Sequence, residues 1–373
     1  MNEIERQGLS YNLFNNSHSL DSLKEKWERL DREAKFPNIF YNYSWVKHWW
    51  KQFGNGKEYR ILVILDNQDN WLAVFPFVEV PAIFGKGLWP ISYHTHDWSN
   101  PTLQFQSKEI HQILQIGLHA LLEKYLFIWL PLVQEKFYQE WHSNIDKNRN
   151  ITRKAGTRSF IQFPDENEKQ RKQFLAEKWG SKFLKNNRYQ LKQLEQKGDL
   201  LFKVLDVTET QNFFPLLVEL ESRSWKAKNR SGLFFLPHID KIYKNYCPEL
   251  VAKNQMRIST LFINQRLIAY EIGFTLGKTY GMHNIAYDED YKKYSPGRLL
   301  MSYNLNWTVE MGFECFDFLQ GNQDYKLRFA TENESLKEIS IFAPRFKAWL
   351  NYKVIQWAQK RKKIAATNEN QEI

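Results

Sequence analysis

The sequence is poor in cysteine and holds neither a long apolar run nor a leader-like N-terminus. Its two cysteines, Cys247 and Cys315, lie far apart, which disfavours a disulfide framework and a cysteine-based metal site. The longest apolar run, residues 125–133, is too short to cross a bilayer. The first residues are polar and acidic, whereas a secretion signal is basic and then apolar. We therefore expect a cytoplasmic protein that is neither exported nor membrane-spanning.

Core-forming residues, by contrast, are plentiful. The chain has 373 residues, of which 43% are hydrophobic and 16% aromatic. This is enough to fill the cores of two domains of ordinary size. The composition therefore indicates a globular protein and excludes a disordered one.

Basic residues exceed acidic ones and give a net charge of +10. Residues 171–203 carry nine basic and three acidic side chains, and residues 344–363 carry seven basic and no acidic ones. Such segments attract polyanions, phosphorylated substrates or the anionic inner face of a membrane, although a solvated helical face has the same composition.

The second basic segment also repeats apolar residues at helical spacing, at Phe346, Leu350, Val354 and Trp357. This pattern predicts an amphipathic helix with a basic end. Such a helix docks on its own domain or makes peripheral contact with the inner face of a membrane, and the sequence leaves both alternatives open.

The same order of predicted elements occurs twice: two helices, a hairpin, a third strand, a helix and a further strand. In the first half they fall at residues 21–33, 44–53, 59–66, 71–80, 88–93, 110–122 and 125–130. In the second half they fall at residues 208–225, 237–251, 256–263, 267–276, 279–287, 298–312 and 313–319. We therefore expect an α/β (α+β) fold built from a duplicated unit. Between the copies, residues 166–197 predict one or two helices interrupted near residues 179–180.

The second half contains a candidate anion-binding loop. Ser295, Pro296 and Gly297 lie between a predicted strand and a helix, with Arg298 at the helix start. Backbone N–H groups and the positive end of the helix dipole meet at such a point, so it favours an anion. The helix places apolar and amide side chains on one side, which is predicted to face the sheet. The residues of that side are Leu300, Tyr303, Asn304, Trp307 and Met311. After the next strand, the sequence predicts a loop over residues 321–326.

This order of elements resembles the GNAT acyltransferase superfamily, and more closely its two-lobed, cellulose-biosynthesis-type (CelD/BcsL-like) acetyltransferases, which are related to FemAB-type aminoacyl transferases. Residues 221–226, with 231–232, resemble the motif that precedes the sheet in that subfamily, and residues 317–321, with 325–326, resemble its closing motif. The resemblance covers roughly residues 170–345. It implies tandem GNAT-like lobes, each a mixed, mostly antiparallel sheet flanked by helices. The implied divisions are an N-terminal lobe at 1–150, a basic connector at 151–205, a donor lobe at 206–345 and a basic helix and tail at 346–373.

The resemblance also implies a donor site for acetyl-CoA or another acyl-CoA and no metal. The strand at residues 279–287 would splay from the next strand, and the acyl arm would enter the gap. By the resemblance, Ile285, Ala286 and Tyr287 lie along the donor arm. Near the pyrophosphate it places Lys292, Ser295, Gly297 and Arg298.

Four residues are candidates for the chemistry of acyl transfer. Strand alternation puts Glu271 on a partly buried surface, where its pKa can rise toward that of a general base, although a structural carboxylate is an equal alternative. Asp317 is in an apolar strand and needs a partner such as Lys326 or Lys226, or it stabilises the loop that follows. Tyr325 can protonate a thiolate, and Lys326 can stabilise developing charge. His283 is interpreted as a core histidine.

Acceptor contacts are predicted at the cleft between the lobes. The loop with His94, His96, Asp97 and Trp98 is assigned there by position, and hydrogen bonding or acceptor contact is favoured over a metal site. Trp225 and Lys226 join them as candidate substrate-binding residues.

Three functions remain open. The first is an acyltransferase that moves an acetyl or other acyl group to an amine or hydroxyl of a small polar acceptor, such as an amino sugar or polysaccharide precursor. The second is a FemAB-like transferase that uses aminoacyl-tRNA, whose polyanionic donor suits the charge of the chain. The third is a non-catalytic protein that binds RNA or a membrane surface.

Overall fold

The computed structural model describes residues 8–35, 37–92, 102–103, 107–143, 145–321 and 323–369. The strands are β1 (Ser10–Phe14), β2 (Tyr59–Leu65), β3 (Trp71–Ala82), β4 (Gly85–Pro90), β5 (Thr102–Leu103), β6 (Phe127–Val133), β7 (Asn150–Gln162), β8 (Leu200–Val204), β9 (Met256–Ile263), β10 (Arg266–Leu276), β11 (Thr279–Tyr287), β12 (Cys315–Gln320) and β13 (Glu332–Phe342). The α-helices are α1 (Lys24–Glu33), α2 (Tyr43–Phe53), α3 (Ser107–Leu122), α4 (Glu135–Ser143), α5 (Glu168–Glu195), α6 (Val207–Ser222), α7 (Ile239–Ala252), α8 (Pro296–Glu310), α9 (Asp324–Phe329) and α10 (Phe346–Glu369).

The chain folds into two compact units. The first combines Met1–Gly156 with Ser335–Ile373, and the second is Thr157–Glu334. The segment 151–205, expected to be a connector, holds β7, α5 and β8. Within the described residues, no helix is long and apolar enough to cross a membrane.

The first unit forms a mixed sheet in the order β1-β2-β3-β4-β6, continued by residues 335–342 of β13. Neighbouring strands are antiparallel except β4 and β6, which are parallel. The alternating apolar residues of β2 and β3 pack against α3, so Leu62, Phe75 and Ile113 lie in one buried core.

The second unit repeats this plan in the order β12-β11-β10-β9-β8, with residues 157–162 of β7 beside β12. Only β11 and β12 are parallel among its described strand pairs. The hairpin β9–β10, strand β11, helix α8 and strand β12 occur in the same order as β2–β3, β4, α3 and β6. The predicted α/β (α+β) fold, with mixed and mostly antiparallel sheets flanked by helices, is confirmed.

Local details both confirm and correct the sequence predictions. Gly180 breaks α5 with a φ of 74°, as the predicted interruption near residues 179–180 requires. The loop predicted over residues 321–326 is wrong in its second half, because Asp324 begins the short helix α9. Met311 does not join the buried side of α8: it follows the last helical turn and is 63% exposed, next to Gly312 with a positive φ.

The sequence predicts one apolar stripe on the C-terminal helix, α10. The helix docks on its own unit through residues outside that stripe: Ala348 is buried in a cluster with Phe127 and Phe342, and Tyr352 and Ile355 pack against this cluster. Phe346 and Trp357 of the predicted stripe are exposed. The helix therefore has a second apolar side that the sequence prediction did not separate from the first.

Candidate functional site

A gap opens between β11 and β12 in the second unit. Their parallel ladder pairs only residues 279–281 with 315–317 in the part of the chain that the structure describes. Residue 282 and residues 284–287 stay paired with β10 on the other side. Alternate N–H and C=O groups along this half of β11 therefore point into the gap, where they can bind an extended ligand.

Irregularities in both strands explain the gap. The β10–β11 register shifts so that His283 is an extra residue on β11, and such a bulge bends and twists a strand. On β12 the register shifts between Asp317 and Gln320, and Leu319 has a φ of 56°. This is a conformation that a branched side chain adopts only under constraint. The predicted splay of the two strands is therefore present, and it begins just after Gly281.

The N-terminus of α8 is a candidate anion site. Ser295 precedes the helix in a left-handed conformation, Pro296 is its first residue, and no side chain caps it. The first N–H groups of a helix have no partner inside it, so an uncapped start favours an anion.

Arg298 adds positive charge to this helix start. Its Nε and Nη2 atoms are buried, yet neither has a hydrogen-bond partner among the residues that the structure describes. Its guanidinium lies over the Phe183 ring, 5.7 Å from the centroid. Burial lowers the pKa of Arg298, and the positive charge of Arg328 lowers it further. A guanidinium with two unused buried donors beside a second cation favours a bound anion.

The other predicted donor residues lie on β11 and in the segment between β11 and α8. In the β10–β11 register Ile285, Ala286 and Tyr287 pair with Glu271, Tyr270 and Ala269, and they belong to the half of β11 without a β12 partner. Lys292 is exposed and lies 3.8 Å from the carboxylate of Glu289.

Gly297, in the first turn of α8, packs tightly against β11. A Cβ at this position would meet Cδ1 of Tyr287 at 3.0 Å. A larger residue would therefore displace that ring as well as crowd the anion site, so substitution of Gly297 would not test donor binding alone.

Glu271 is fully buried on the side of the sheet that α8 covers. Its Oε1 accepts a hydrogen bond of 2.7 Å from the Tyr280 hydroxyl, and no atom of the described residues lies at hydrogen-bond geometry to its Oε2. Burial raises the pKa of Glu271 to about 7, against the opposing effects of Tyr280, Asn304 and Arg257. A carboxyl group that titrates near neutral pH can accept a proton in the physiological range.

Tyr325 is close enough to this carboxyl group for electrostatic interaction. Burial raises the pKa of Tyr325, and the charge of Glu271 raises it further. The phenol therefore stays protonated at neutral pH and can act as a proton donor. Its ring packs edge-on against Phe318 beside the gap.

Asp317 and Lys326 hold the distorted end of β12. Asp317 is fully buried, accepts hydrogen bonds from the Leu319 N–H at 2.8 Å and from Arg158 Nε at 2.7 Å, and forms an ion pair with Arg158. Burial raises its pKa, and Arg158 opposes that rise. Lys326 donates to the carbonyl oxygens of Phe318 and Gln320, at 2.6 and 2.7 Å. All these bonds fix the bulge at the edge of the gap.

A second polar cluster lies on the opposite side of the sheet, since Tyr270 and Glu271 are adjacent on β10. Glu221 is fully buried and accepts from the Tyr270 hydroxyl at 2.6 Å and from Asn284 Nδ2 at 2.7 Å. Lys226 donates to Asn284 Oδ1 and forms an ion pair of 3.6 Å with Glu221. Burial lowers the pKa of Lys226, and Glu221 opposes this shift. Trp225 is partly buried at the start of the same short helix.

Some predicted residues are not brought to this site. His94, His96, Asp97 and Trp98 lie outside the described residues. His283 stacks on Tyr243, and its Nε2 lies 2.6 Å from the Tyr243 hydroxyl. No group of three or more His, Cys, Asp or Glu side chains that can hold a metal ion occurs within the described ranges.

Sequence reasoning missed several members of the site. Arg158 forms an ion pair with Asp317 and lies 159 residues away along the chain. The charge of Lys326 also lowers the pKa of Asp317, as the sequence predicts, whereas Lys226 pairs with Glu221. Tyr280 is the second residue of β11, and strand alternation places it on the side of Met282. Its partner Glu271 pairs across the sheet with Ile285, so only the register brings the phenol and the carboxyl together.

Comparisons with known proteins agree with this geometry. Residues 181–327 match the family model described as "Acetyltransferase (GNAT) domain". No curated protein matches the sequence.

Three solved structures share the fold over most of the chain. A conserved protein of unknown function from Bacteroides thetaiotaomicron has 13% identity and a TM-score of 0.55, with 89% of this chain and 100% of that one covered. FemX has 9% identity and a TM-score of 0.55, with 87% and 96% covered. The L-PGS of Bacillus licheniformis has 13% identity and a TM-score of 0.54, with 89% and 96% covered. These structures show the fold, and the match at residues 181–327 identifies a GNAT acetyltransferase domain and hence an acyltransferase.

Proposed function

We propose that this acyltransferase moves an acyl group, and specifically acetyl, from acyl-CoA to an amine or hydroxyl of a small polar acceptor. An amino sugar or a polysaccharide precursor is the acceptor class that the CelD/BcsL-like resemblance favours. The observation that carries the proposal is the pair of buried, unpartnered nitrogens of Arg298 at the uncapped start of α8.

A phosphate-bearing donor fits this helix start. Nε and Nη2 of Arg298 offer two donors in a planar fork, which matches a phosphate. The helix start adds backbone N–H groups, and Arg328 adds positive charge. The unpaired half of β11 leads away from this point and can hold an extended arm. The thioester of acyl-CoA supplies the activated acyl group.

Proton transfer is assigned to residues beside the gap. Glu271 accepts the proton of the incoming amine or hydroxyl, because burial holds its pKa near neutrality. Tyr325 donates a proton to the leaving thiolate. Backbone N–H groups of the unpaired half of β11 stabilise the negative charge that develops on the thioester oxygen.

Asp317 and Lys326, the other two predicted catalytic residues, act by positioning the backbone of β12. Asp317 and Lys326 bond the backbone of the β12 bulge and so set the width of the gap. On the far side of the sheet, Lys226 and Trp225 stay candidate acceptor contacts. The loop that carries His94, His96, Asp97 and Trp98 stays an acceptor-site prediction made from the sequence. A cytoplasmic location stays a prediction from the cysteine content, the short apolar runs and the polar first residues of the sequence.

A FemAB-like transfer from aminoacyl-tRNA is the second candidate. The observation that favours it is charge: the chain carries +10, and α5 is rich in lysine and arginine. A phosphate of the tRNA end would meet Arg298 as a coenzyme A phosphate would. The non-catalytic alternative is not retained, because the acetyltransferase domain match covers the candidate site.

A donor-exchange assay separates the two candidates. Free thiol is measured while the purified protein is mixed with acetyl-CoA and a panel of amino sugars, and labelled amino acid is followed from charged tRNA to the same acceptors. Acceptor-dependent thiol release supports the proposal. Transfer from tRNA without thiol release contradicts it and selects the second candidate.

A further inference from the structure

Helix α10 presents an exposed aromatic side in the first unit. Four of its large apolar side chains are solvent-exposed: Phe346 (71%), Trp349 (48%), Val354 (40%) and Trp357 (56%). Phe346 and Trp349 stack on each other, with ring centroids 5.8 Å apart. Exposed apolar patches of this kind mark interaction surfaces.

The exposed side is not the side that docks the helix. Ala348 is fully buried, and Tyr352 and Ile355 pack against the cluster that includes Phe127 and Phe342. A surface helix is normally polar on its outer side. Because α10 is held by its inner side, the aromatic side chains on its outer side remain exposed to solvent.

Positive charge surrounds the aromatic side. Lys347 and Lys353 are exposed, and the Lys353 ammonium lies 5.7 Å from the Trp349 ring centroid and 5.5 Å from that of Tyr352. The same helix continues through the sequence Lys-Arg-Lys-Lys at residues 360–363, and residues 344–363 contain no acidic side chain.

The β3–β4 turn extends this surface. Ile83 is 60% exposed and Phe84 is 41% exposed. The Ile83 N–H donates to Asn351 Oδ1 at 3.2 Å, and Val80 and Ala82 pack against the same cluster as the helix. The turn is therefore attached to α10 and adds two apolar side chains beside it.

We propose that this α10 surface binds anionic phospholipid bilayers peripherally. The surface consists of Ile83, Phe84, Phe346, Lys347, Trp349, Lys353, Val354 and Trp357. Aromatic side chains favour the boundary between lipid headgroups and acyl chains, and lysines beside them favour an anionic leaflet. A second copy of the same surface fits less well, because self-association would bring like charges together.

Vesicle co-sedimentation of the full-length chain tests the proposal. Vesicles of phosphatidylcholine with phosphatidylglycerol are compared with phosphatidylcholine alone, at low and high salt. The expected result is binding to the anionic vesicles that weakens as salt rises. Replacing Phe346, Trp349 and Trp357 by serine should weaken that binding at least tenfold, and the Lys347→Gln/Lys353→Gln variant should weaken it about tenfold.

Two control variants carry the same types of substitution in the second unit. Leu201→Ser/Met311→Ser removes exposed apolar side chains from the second unit, and Lys228→Gln/Lys278→Gln removes two exposed charges there. Both controls should bind as the parent does. Thermal midpoints verify folding, and single Trp349→Ser and Trp357→Ser variants replace the triple variant if it unfolds.

Three results would overturn the proposal. These are no binding to anionic vesicles, equal binding to neutral vesicles, and unchanged affinity in the aromatic variant. Sedimentation velocity adds a further decisive outcome: a dimer that the aromatic variant dissociates would assign the α10 surface to a second copy of the chain.

Discussion

At the scale of single residues, the site depends on groups whose ionisation the fold changes. Burial holds the pKa of Glu271 at about 7, and its carboxyl group accepts a hydrogen bond from Tyr280. Gly273 makes this contact possible, since a Cβ there would lie 2.0 Å from the Tyr280 hydroxyl oxygen. The hydrogen bond between the Glu271 carboxyl group and the Tyr280 phenol therefore requires a glycine at position 273.

The proposed base predicts a pH profile. Activity should rise with pH through about 7, because Glu271 must lose its proton to act. Glu271→Gln should lower kcat/KM by about 10²- to 10⁴-fold and remove this rise. Steady-state rates across pH measure both effects, and the same rise in the variant would assign the base to another residue.

The Tyr280→Phe variant tests the same assignment of Glu271 as the base. It removes the hydrogen bond that lowers the pKa of Glu271, so the activity rise should move to higher pH. A shift to lower pH, or none, would contradict the assignment.

Glu271 also predicts how stability changes with pH. Its pKa is about 7 in the folded chain and 4.5 ordinarily, so the folded state holds the proton more tightly. Its contribution is complete below pH 4.5 and is lost as pH rises through 7, a change of about 3 kcal/mol. Relative to the parent, Glu271→Gln should therefore gain stability between about pH 5 and about pH 8. Urea midpoints of both proteins at the two pH values measure this, and a constant difference would mean that Glu271 ionises normally.

At the scale of elements, the gap between β11 and β12 depends on two irregular strands. The sequence predicted both strands and the helix between them, because alternation and a Gly-rich boundary are local signals. It did not predict the bulges or the ion pair that holds one of them. Arg158 meets Asp317 only through the pairing of β7 with β12, and no local pattern encodes that register.

The β12 bulge should depend on this ion pair. Arg158→Met leaves Asp317 buried without its cation and should cost about 3 to 5 kcal/mol of unfolding free energy. Adding Asp317→Asn should recover part of the loss, since the uncompensated charge is then gone. Chemical denaturation of the two variants measures this. A double variant no more stable than Arg158→Met would show that packing, and not charge, holds the bulge.

At the scale of the whole molecule, one plan of hairpin, strand, helix and strand occurs in both units. The sequence revealed this order because hydrophobic periodicity survives where residue identity does not. It did not reveal that residues 335–373 return to the first unit, a feature of tertiary packing. Nor could periodicity separate the two apolar sides of α10, since a helix apolar on both sides has no single stripe.

The central claim concerns the anion site of the second unit. Isothermal titration with acetyl-CoA, coenzyme A and 3′-dephospho-coenzyme A tests it most directly, using the parent, Arg298→Gln and the charge-matched control Lys278→Gln. Lys278 is exposed at the opposite end of β11 and pairs with Glu314. Saturable binding is expected for the parent and the control, weakened about ten- to a hundredfold by Arg298→Gln, with no loss of thermal stability. Equal affinity in all three proteins, or no donor binding by the parent, would contradict the account.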